Sequence, residues 1–204
     1  MFSKMRSAVF AVTATVFCLF ASAVFPTVSR AQVPVFAITP ADSKFSVKAS
    51  VSLEGNFDKW DATLTYPSTD VSAGVLDVKI QQVASVNTGS DMKDDKLRSK
   101  DFFDVKQDPL ITFHSNKIEQ TGPNTFAVPG TFTIRGVSKP ETLTFTVSGS
   151  KGSGSGEIKG TMAFDRKDYG MNSGIPFIEI ADRVEVSVDL NVKRVSGPPL
   201  VFKQ

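Results

Sequence analysis

The chain is poor in the side chains that most often bind metals or attack substrates. Its 204 residues include one cysteine, one histidine and one tryptophan. Cys18 lies in the N-terminal apolar segment, so the rest of the chain has no thiol for a disulfide, a Cys-ligated metal or covalent catalysis. His114 alone cannot form the usual metal site of several nitrogen or sulfur ligands, although an oxygen-only cation site stays open. No glycine-rich loop connects a strand to a helix, so no phosphate-binding loop is predicted.

Acidic residues are absent from the start of the chain, where the first carboxylate is that of Asp42. Lys4 and Arg6 precede a mostly apolar run over residues 8–25, and small residues stand at and before Ala31. This pattern is typical of a secretory signal peptide. We therefore predict a signal peptide over residues 1–31, with an uncleaved membrane anchor as the alternative.

Removal of residues 1–31 turns the formal net charge of +2 slightly negative, because three basic residues and no acidic one are lost. No basic patch remains that would favour nucleic acid. Apolar residues at 41% and charged residues at 22% are ordinary for a globular domain. We expect residues 32–204 to form one exported domain, with no integral membrane segment after cleavage.

Apolar and polar residues alternate along eight segments, which is the pattern of strands with one buried and one solvated face. Eight or nine such strands at short spacing predict an all-β sandwich or a closed antiparallel barrel. Pro129 and Gly130 are predicted to form a bulge inside one strand, and Gly160 at an inward position is predicted to leave unfilled volume. Residues 151–156, rich in glycine and serine, are predicted to form a mobile hairpin loop. The alternating segments are 45–51, 62–66, 76–80, 111–113, 126–134, 143–147, 158–164 and 184–192.

One segment breaks the alternation, and it predicts a single short helix between strands over residues 90–98. Ser90 suits the N-cap position, while acidic residues occupy the first turn and basic residues the last turn. A turn that carries Phe102 and Phe103 is predicted to follow the helix.

Aspartates are concentrated in and after this helix, and two carboxylates could act as the acid and the base of a hydrolase. Lysines and arginines are interleaved with them, which also fits a solvated surface with local ion pairs. The pattern places no carboxylate pair on one regular face. The aspartates are Asp91, Asp94, Asp95, Asp101, Asp104 and Asp108.

Phenylalanine is abundant, with 17 residues, and most of those after residue 31 fall on the inward positions of strands. Phenylalanine fills any β core, so a packed interior is one interpretation. A closed barrel of about eight strands can instead hold one small ligand. A cavity lined by Phe, Val, Ile and Met side chains would favour a long apolar molecule.

Three stretches resemble the YceI-like family, whose members are known as lipid- or polyisoprenoid-binding proteins with a lipocalin-like barrel. The first reads SVNTG at 85–89, DDKLRSKDFFD at 94–104 and PLITF at 109–113. The second reads GTFTIRGVSKP at 130–140, and the third reads RKDYGM at 166–171. The resemblance extends over residues 36–195, in the order and spacing of the family.

This resemblance implies an all-β fold, namely a closed antiparallel lipocalin-like β-barrel of about eight strands with one short helix between strands. It also implies a long apolar tunnel, a periplasmic location, a homodimer, no enzymatic chemistry, no metal and no cofactor other than a bound polyprenyl lipid or quinone. Lys96 stands where the family often has His, and Lys93 where it often has Arg.

Two groups of candidate site residues follow from the resemblance together with the alternation. Arg98 and Asp101 are predicted to pair beside the helix. The four polar candidates given at the end of this paragraph have two alternative roles, which are to contact a lipid head group or to fix turns and the helix against the barrel. The apolar, ligand-binding candidates are Phe45, Val47, Leu97, Phe102, Phe103, Phe113, Phe132, Ile134, Met162, Phe164, Tyr169 and Val186. The polar candidates for the head group or the tunnel mouth are Arg98, Asp101, Arg135 and Arg166.

Three hypotheses on function remain open at this point. The protein is an exported periplasmic protein that sequesters or carries a polyisoprenoid such as a quinone or a polyprenyl phosphate. Alternatively, it is an enzyme that acts on a small amphiphile through the aspartate-rich loop. In the third hypothesis it is a stress-response partner protein whose barrel is packed and holds no ligand.

Overall fold

The computed structural model describes residues 33–38, 43–50, 53–81, 83–149 and 154–202. The predicted signal peptide over residues 1–31 and the first half of the predicted hairpin loop, residues 151–153, lie outside this part of the chain. Among the described residues, no helix has the length and apolar character needed to cross a membrane.

The described residues form twelve strands and one α-helix, α1 (Asp91–Arg98). Short 3-10 turns at Val71–Ala73, Val83–Ser85 and Arg166–Tyr169 connect some of them. The strands are β1 (Val35–Ile38), β2 (Lys44–Ser50), β3 (Leu53–Phe57), β4 (Trp60–Thr65), β5 (Val75–Ile80), β6 (Val86–Asn87), β7 (Ile111–Ser115), β8 (Glu119–Gln120), β9 (Thr125–Ile134), β10 (Val137–Ser148), β11 (Ser155–Asp165) and β12 (Arg183–Ser196).

Eight of these strands close an antiparallel barrel, which confirms the predicted fold. Their order is β1-β4-β5-β7-β9-β10-β11-β12, and β12 pairs again with β1. The long strand β12 has two partners on one edge, because its first half pairs with β2 and its second half pairs with β1. Strands β3 and β6 extend the sheet from β2, and β8 pairs with β9.

The alternating segments direct their apolar residues into the barrel as predicted, but the bulge at Pro129 and Gly130 is wrong. Strand β9 pairs with β10 in continuous register from Thr125 to Ile134. The inward residues of β9 are all even-numbered, so one uninterrupted strand already places them on one face. Gly130 occupies one inward position, where a Cβ atom would lie 2.5 Å from the carbonyl oxygen of His114 on β7.

The expectation that Gly160 leaves unfilled volume is also wrong. A Cβ atom at this position would lie 2.6 Å from Cγ2 of Val188 and 2.7 Å from Cε1 of Phe145. The space is therefore already filled by the Phe145 ring and the Val188 side chain. Glycine at 160 allows this ring to lie against the backbone of β11.

The helix α1 begins directly after Ser90, as predicted, but the Ser90 side chain makes no capping hydrogen bond. Asp94 instead accepts hydrogen bonds from the backbone nitrogen and the hydroxyl of Thr88, at 2.8 and 2.7 Å. Leu97 is buried, and the turn that follows α1 buries Phe102 and Phe103. The helix is therefore fixed to the chain that precedes it and covers one end of the barrel.

Candidate functional site

The barrel interior, or lumen, contains three apolar cavities in series. Their order is given by β12, because Val192 lines the first, Val188 the second and Val184 the third. We name them the loop cavity (about 150 Å³), the middle cavity (about 30 Å³) and the helix cavity (about 60 Å³). The helix cavity lies beneath Leu97 of α1, and the loop cavity lies at the opposite end, beside the β10–β11 hairpin.

Aromatic rings separate the three cavities. Phe145 lines both the loop cavity and the middle cavity. Phe45 and Phe132 line both the middle cavity and the helix cavity. The lumen is thus one apolar channel interrupted at two levels by side chains that can rotate, not by backbone.

Most of the predicted apolar site residues line this channel. Phe45, Phe132 and Val186 face both the middle and the helix cavity, while Phe113 and Met162 face the middle cavity alone. The following line the helix cavity alone: Val47, Leu97, Phe102, Phe103, Ile134 and Phe164.

Tyr169 is the one apolar candidate that lines none of the three cavities. Its ring packs edge-on against Phe132 and Phe164, with ring centroids 5.5 and 5.2 Å apart. Its hydroxyl donates a hydrogen bond of 3.0 Å to Glu141. Burial, together with this carboxylate, raises the pKa of Tyr169. Tyr169 therefore packs against Phe132 and Phe164, which line the helix cavity, without lining it itself.

The predicted pairing of Arg98 with Asp101 does not form. Asp101 pairs with Lys96 at 2.5 Å, and this hydrogen bond holds the pKa of Asp101 below its usual range. Arg98 donates to the backbone oxygens of Ala84 and Val86 at 2.8 and 3.0 Å. The guanidinium of Arg98 therefore ties α1 to the chain before it, and Lys96 takes the carboxylate that we assigned to Arg98.

Arg135 and Arg166 also donate to backbone carbonyls. Arg135 bridges the oxygens of Gly170 and Lys100 at 2.6 and 3.0 Å. Arg166 is 7% exposed, and its side chain lines the helix cavity. The contacts of all four polar candidates fit the role of fixing turns and the helix, and a contact with a lipid head group stays a prediction.

Arg166 holds the segment after its own turn against the barrel. It donates to the oxygens of Met171, Ser173 and Ala181, of which the last two lie at 2.8 and 3.2 Å. It also pairs with Asp182 at 3.1 Å. A hydrogen bond from Lys167, with the nearby charges of both cations, lowers the pKa of Asp182. The Asp182 carboxylate is therefore ionised in its ion pairs with Arg166 and Lys167.

Three of the aspartates considered for catalysis are held by local partners, and two of them, Asp95 and Asp101, also line an open groove beside α1. Asp94 is bound by Thr88, Asp95 pairs with Arg98 at 3.3 Å, and Asp101 pairs with Lys96. His114 is exposed on the outside of the barrel, where its Nδ1 lies 2.6 Å from Asp77. Across the described ranges, no three His, Cys, Asp or Glu side chains lie close enough together to bind a metal ion.

The loop cavity contains none of the predicted site residues, although it is the largest of the three. Among the described residues that line it, the one cationic side chain is Arg194, whose Nη1 donates to the oxygen of Gly197 at 3.1 Å. The even-numbered residues of β12 point into the barrel, and Arg194 belongs to this series. The alternation of apolar and polar residues could therefore have predicted that Arg194 faces inward. The C-terminal residues Leu200 and Phe202 also line this cavity, but no periodic pattern marks them in the sequence.

The chain is similar in sequence to a known domain family and to proteins of Pseudomonas. The sequence profile of the YceI-like domain matches residues 36–192. A UPF0312 protein of Pseudomonas savastanoi pv. phaseolicola is 29% identical over 145 residues, which cover 69% of this chain and 75% of that protein. A UPF0312 protein of Pseudomonas putida is 31% identical over 134 residues, which cover 64% of this chain and 69% of that protein.

Solved structures with the same fold come from two other bacteria. Burkholderia cenocepacia BcnA superimposes with a TM-score of 0.68 at 28% identity, over 76% of this chain and 99% of that one. A Campylobacter jejuni YCEI protein superimposes with a TM-score of 0.60 at 28% identity, over 73% of this chain and 88% of that one. Because the profile match also runs from β1 into β12 and so spans the closed barrel, the chain belongs to the YceI-like family.

Proposed function

We propose that this protein is exported to the periplasm and that its lumen takes up a long apolar lipid of the polyisoprenoid class, either a quinone or a polyprenyl phosphate. The observation that carries this proposal is the series of three apolar cavities along one axis. Barrel proteins of the YceI-like family are known as binding proteins rather than enzymes. Burial of apolar surface stabilises such a complex by roughly 25 cal/mol per Å², and the walls of the middle and helix cavities are almost wholly apolar.

Uptake of a long chain requires the aromatic rings in the lumen to move. An apolar cavity of the loop cavity's size, about 150 Å³, holds a group the size of benzene. The middle and helix cavities are smaller still. Rotation of Phe145, Phe45 and Phe132 would join the three cavities into one channel. The proposal therefore includes a change in these side chains when the lipid enters.

A variant that fills the loop cavity tests the proposal. Val147 and Val192 both line this cavity and are partly buried. Replacing both with phenylalanine should reduce the uptake of ubiquinone at least tenfold, because two phenyl rings would occupy the space a ligand needs. Native mass spectrometry after incubation with ubiquinone measures the fraction of protein with bound ligand.

The control variant carries the same two rings on the outside of the barrel. Thr146 and Lys193 are the exposed neighbours of Val147 and Val192 on β10 and β12. The Thr146→Phe/Lys193→Phe variant should bind ubiquinone like the parent protein. A parent protein that purifies without an apolar adduct from its own cells, and takes up neither ubiquinone nor a polyprenyl phosphate, would refute the proposal in favour of a packed barrel.

The charge on Arg194 separates the two classes of head group. A charge-assisted hydrogen bond contributes about 1.5–3 kcal/mol, and every 1.4 kcal/mol is tenfold in affinity. Arg194→Gln should therefore weaken the binding of a polyprenyl phosphate about tenfold or more and leave ubiquinone binding unchanged. Titration of both ligands measures this difference. Arg194→Lys, which keeps the charge, should restore most of the affinity, and equal affinity of all three proteins for the phosphate would exclude Arg194 as its contact.

The structure gives no support to an enzyme built on the aspartate-rich loop. The hydrogen bond from Lys96 lowers the pKa of Asp101, one of these aspartates, whereas a general acid at neutral pH needs a raised pKa. The homodimer implied by the family resemblance remains part of the proposal, and sedimentation of the purified protein tests it.

A further inference from the structure

A turn of unusual composition protrudes beside α1. The backbone nitrogen of Ile178 donates to the oxygen of Ile175 at 3.1 Å, which places Pro176 and Phe177 at the two central positions. Phe177 has a φ of 63°. A turn with proline at the second position and a positive φ at the third normally has glycine or asparagine there. The chain has phenylalanine at a position where its backbone is strained.

The ring of Phe177 is also fully exposed, at 108% of its reference area. Met92 on α1 is 65% exposed. Together with Phe177, it lines an open groove between α1 and the turn. The positive φ of this bulky residue destabilises the folded protein, and the exposed ring gains no burial that would offset the strain. Features of this kind are found where the side chain has a function.

The turn is held rigidly at the helix end of the barrel. Arg166 binds the backbone on both sides of it, at Met171 and Ala181, and Ile175 at its base is buried. Both Arg166 and Met171 line the helix cavity. The Phe177 ring is therefore presented by a fixed support next to the end of the lumen that α1 covers.

We propose that Phe177 and Met92 insert into the interfacial region of a lipid bilayer with zwitterionic head groups, so that the helix end of the barrel rests on the membrane. The inference goes beyond lipid binding in the lumen and rests on a different surface. Two side chains offer far less area than the roughly 800 Å² per partner of a stable protein interface. Insertion of two apolar side chains buries less surface than a single acyl anchor, so the membrane binding that we expect is weak and reversible.

The charges around the groove favour zwitterionic lipids. The charged side chains that line the groove among the described residues are Asp95, Lys96, Lys100 and Asp101, whose formal charges sum to zero, and Lys96 and Asp101 form an ion pair. A surface without net charge attracts neither an anionic nor a cationic partner over a distance. Binding should therefore depend little on the ionic strength and on the fraction of anionic lipid.

Flotation of the full protein with phosphatidylcholine vesicles tests the proposal. Phe177→Gly removes the ring and gives the turn its preferred residue, so vesicle binding should fall about tenfold or more while the melting temperature stays equal or rises. Val195→Thr is the matched control, because Val195 is an exposed apolar residue near the loop end of β12. This control should bind vesicles like the parent protein.

A tryptophan at position 177 provides a direct reporter. The natural chain has one tryptophan, Trp60, which is buried. Phe177→Trp should keep vesicle binding, and its added emission should shift to the blue and become protected from acrylamide when vesicles are present. An unchanged emission would place the ring outside the bilayer and overturn the proposal.

Three further outcomes would overturn the proposal. One is equal vesicle binding of the parent and the Phe177→Gly variant, and another is binding that needs anionic lipid and disappears at high salt. The third is a concentration-dependent dimer of the parent, without vesicles, that Phe177→Gly abolishes, because this would assign the surface to a second copy. Ubiquinone uptake measured without vesicles should be the same in the parent and Phe177→Gly, so a failure of lipid binding in the lumen is recognised separately.

Discussion

Replacement of Arg166 with methionine is expected to lower the free energy of unfolding by about 3–5 kcal/mol, because three carbonyl oxygens lose a buried charged donor at once. These oxygens belong to Met171, Ser173 and Ala181. At roughly 2–4 °C per kcal/mol for a domain of this size, the melting temperature should fall by about 6–20 °C. Urea titration followed by circular dichroism measures the change.

The control for this variant is Arg183→Met on β12. Arg183 is mostly exposed, and its one ion pair, with Glu185, is 3.9 Å long. An exposed ion pair contributes about 0–1 kcal/mol, so this variant should unfold close to the parent midpoint. A loss below about 1 kcal/mol for Arg166→Met would mean that solvent satisfies the three oxygens, and Arg166 would not be the anchor of the segment that carries Phe177.

Phe132→Asp is expected to lower the free energy of unfolding by about 5 kcal/mol or more, because it removes a buried ring and buries an unpaired carboxylate. Phe132 is 4% exposed, and its ring centroid lies 5.1 Å from that of Phe164. Since whole domains unfold with about 5–15 kcal/mol, most of this variant should be unfolded at 25 °C. Near-ultraviolet circular dichroism and a urea titration measure the folded fraction.

Two companion variants keep the prediction informative if Phe132→Asp does not fold. Thr131→Asp places the same charge on the exposed face of β9, and it should change the stability by less than about 0.5 kcal/mol. Phe132→Leu keeps the lumen apolar and should fold with a loss of less than about 1.5 kcal/mol. Parent-like stability of Phe132→Asp would mean that β9 has the opposite register, with Thr131 facing inward.

The barrel was predictable from the sequence because burial in a sheet has a period of two, and this period is local. The apolar positions of β7, β10 and β12 follow directly from it. The pairing of β12 with both β2 and β1 was not predictable, because partners far apart in the chain are chosen by packing and closure, which leave no local pattern. The bulge at Pro129 and Gly130 was inferred from residue type alone, although the even numbering of the inward residues already argued against it.

The candidate site divides in the same way. Most of the apolar residues predicted for the lumen lie on strands, where the alternation defines an inward face, whereas Tyr169 lies in a 3-10 turn that has no such face. A contact of any of them with a ligand stays a prediction. The partners of the charged residues were not predictable. Arg98 and Lys96 lie on one short helix, and which of them reaches Asp101 depends on turn geometry beyond the helix. Phe177 was missed because exposure and a positive φ leave no periodic signal.

The closure of the barrel between β1 and β12 has a consequence for the order of folding. The first and last described strands of the barrel are neighbours, so the contacts that seal it have the greatest sequence separation among the described strand pairings. High contact order slows folding, because the entropy of closing a long loop must be overcome before those contacts form. A chain emerging from its N-terminus first cannot complete the cylinder until β12 is available. Formation of the closed barrel therefore requires the whole segment from β1 to β12.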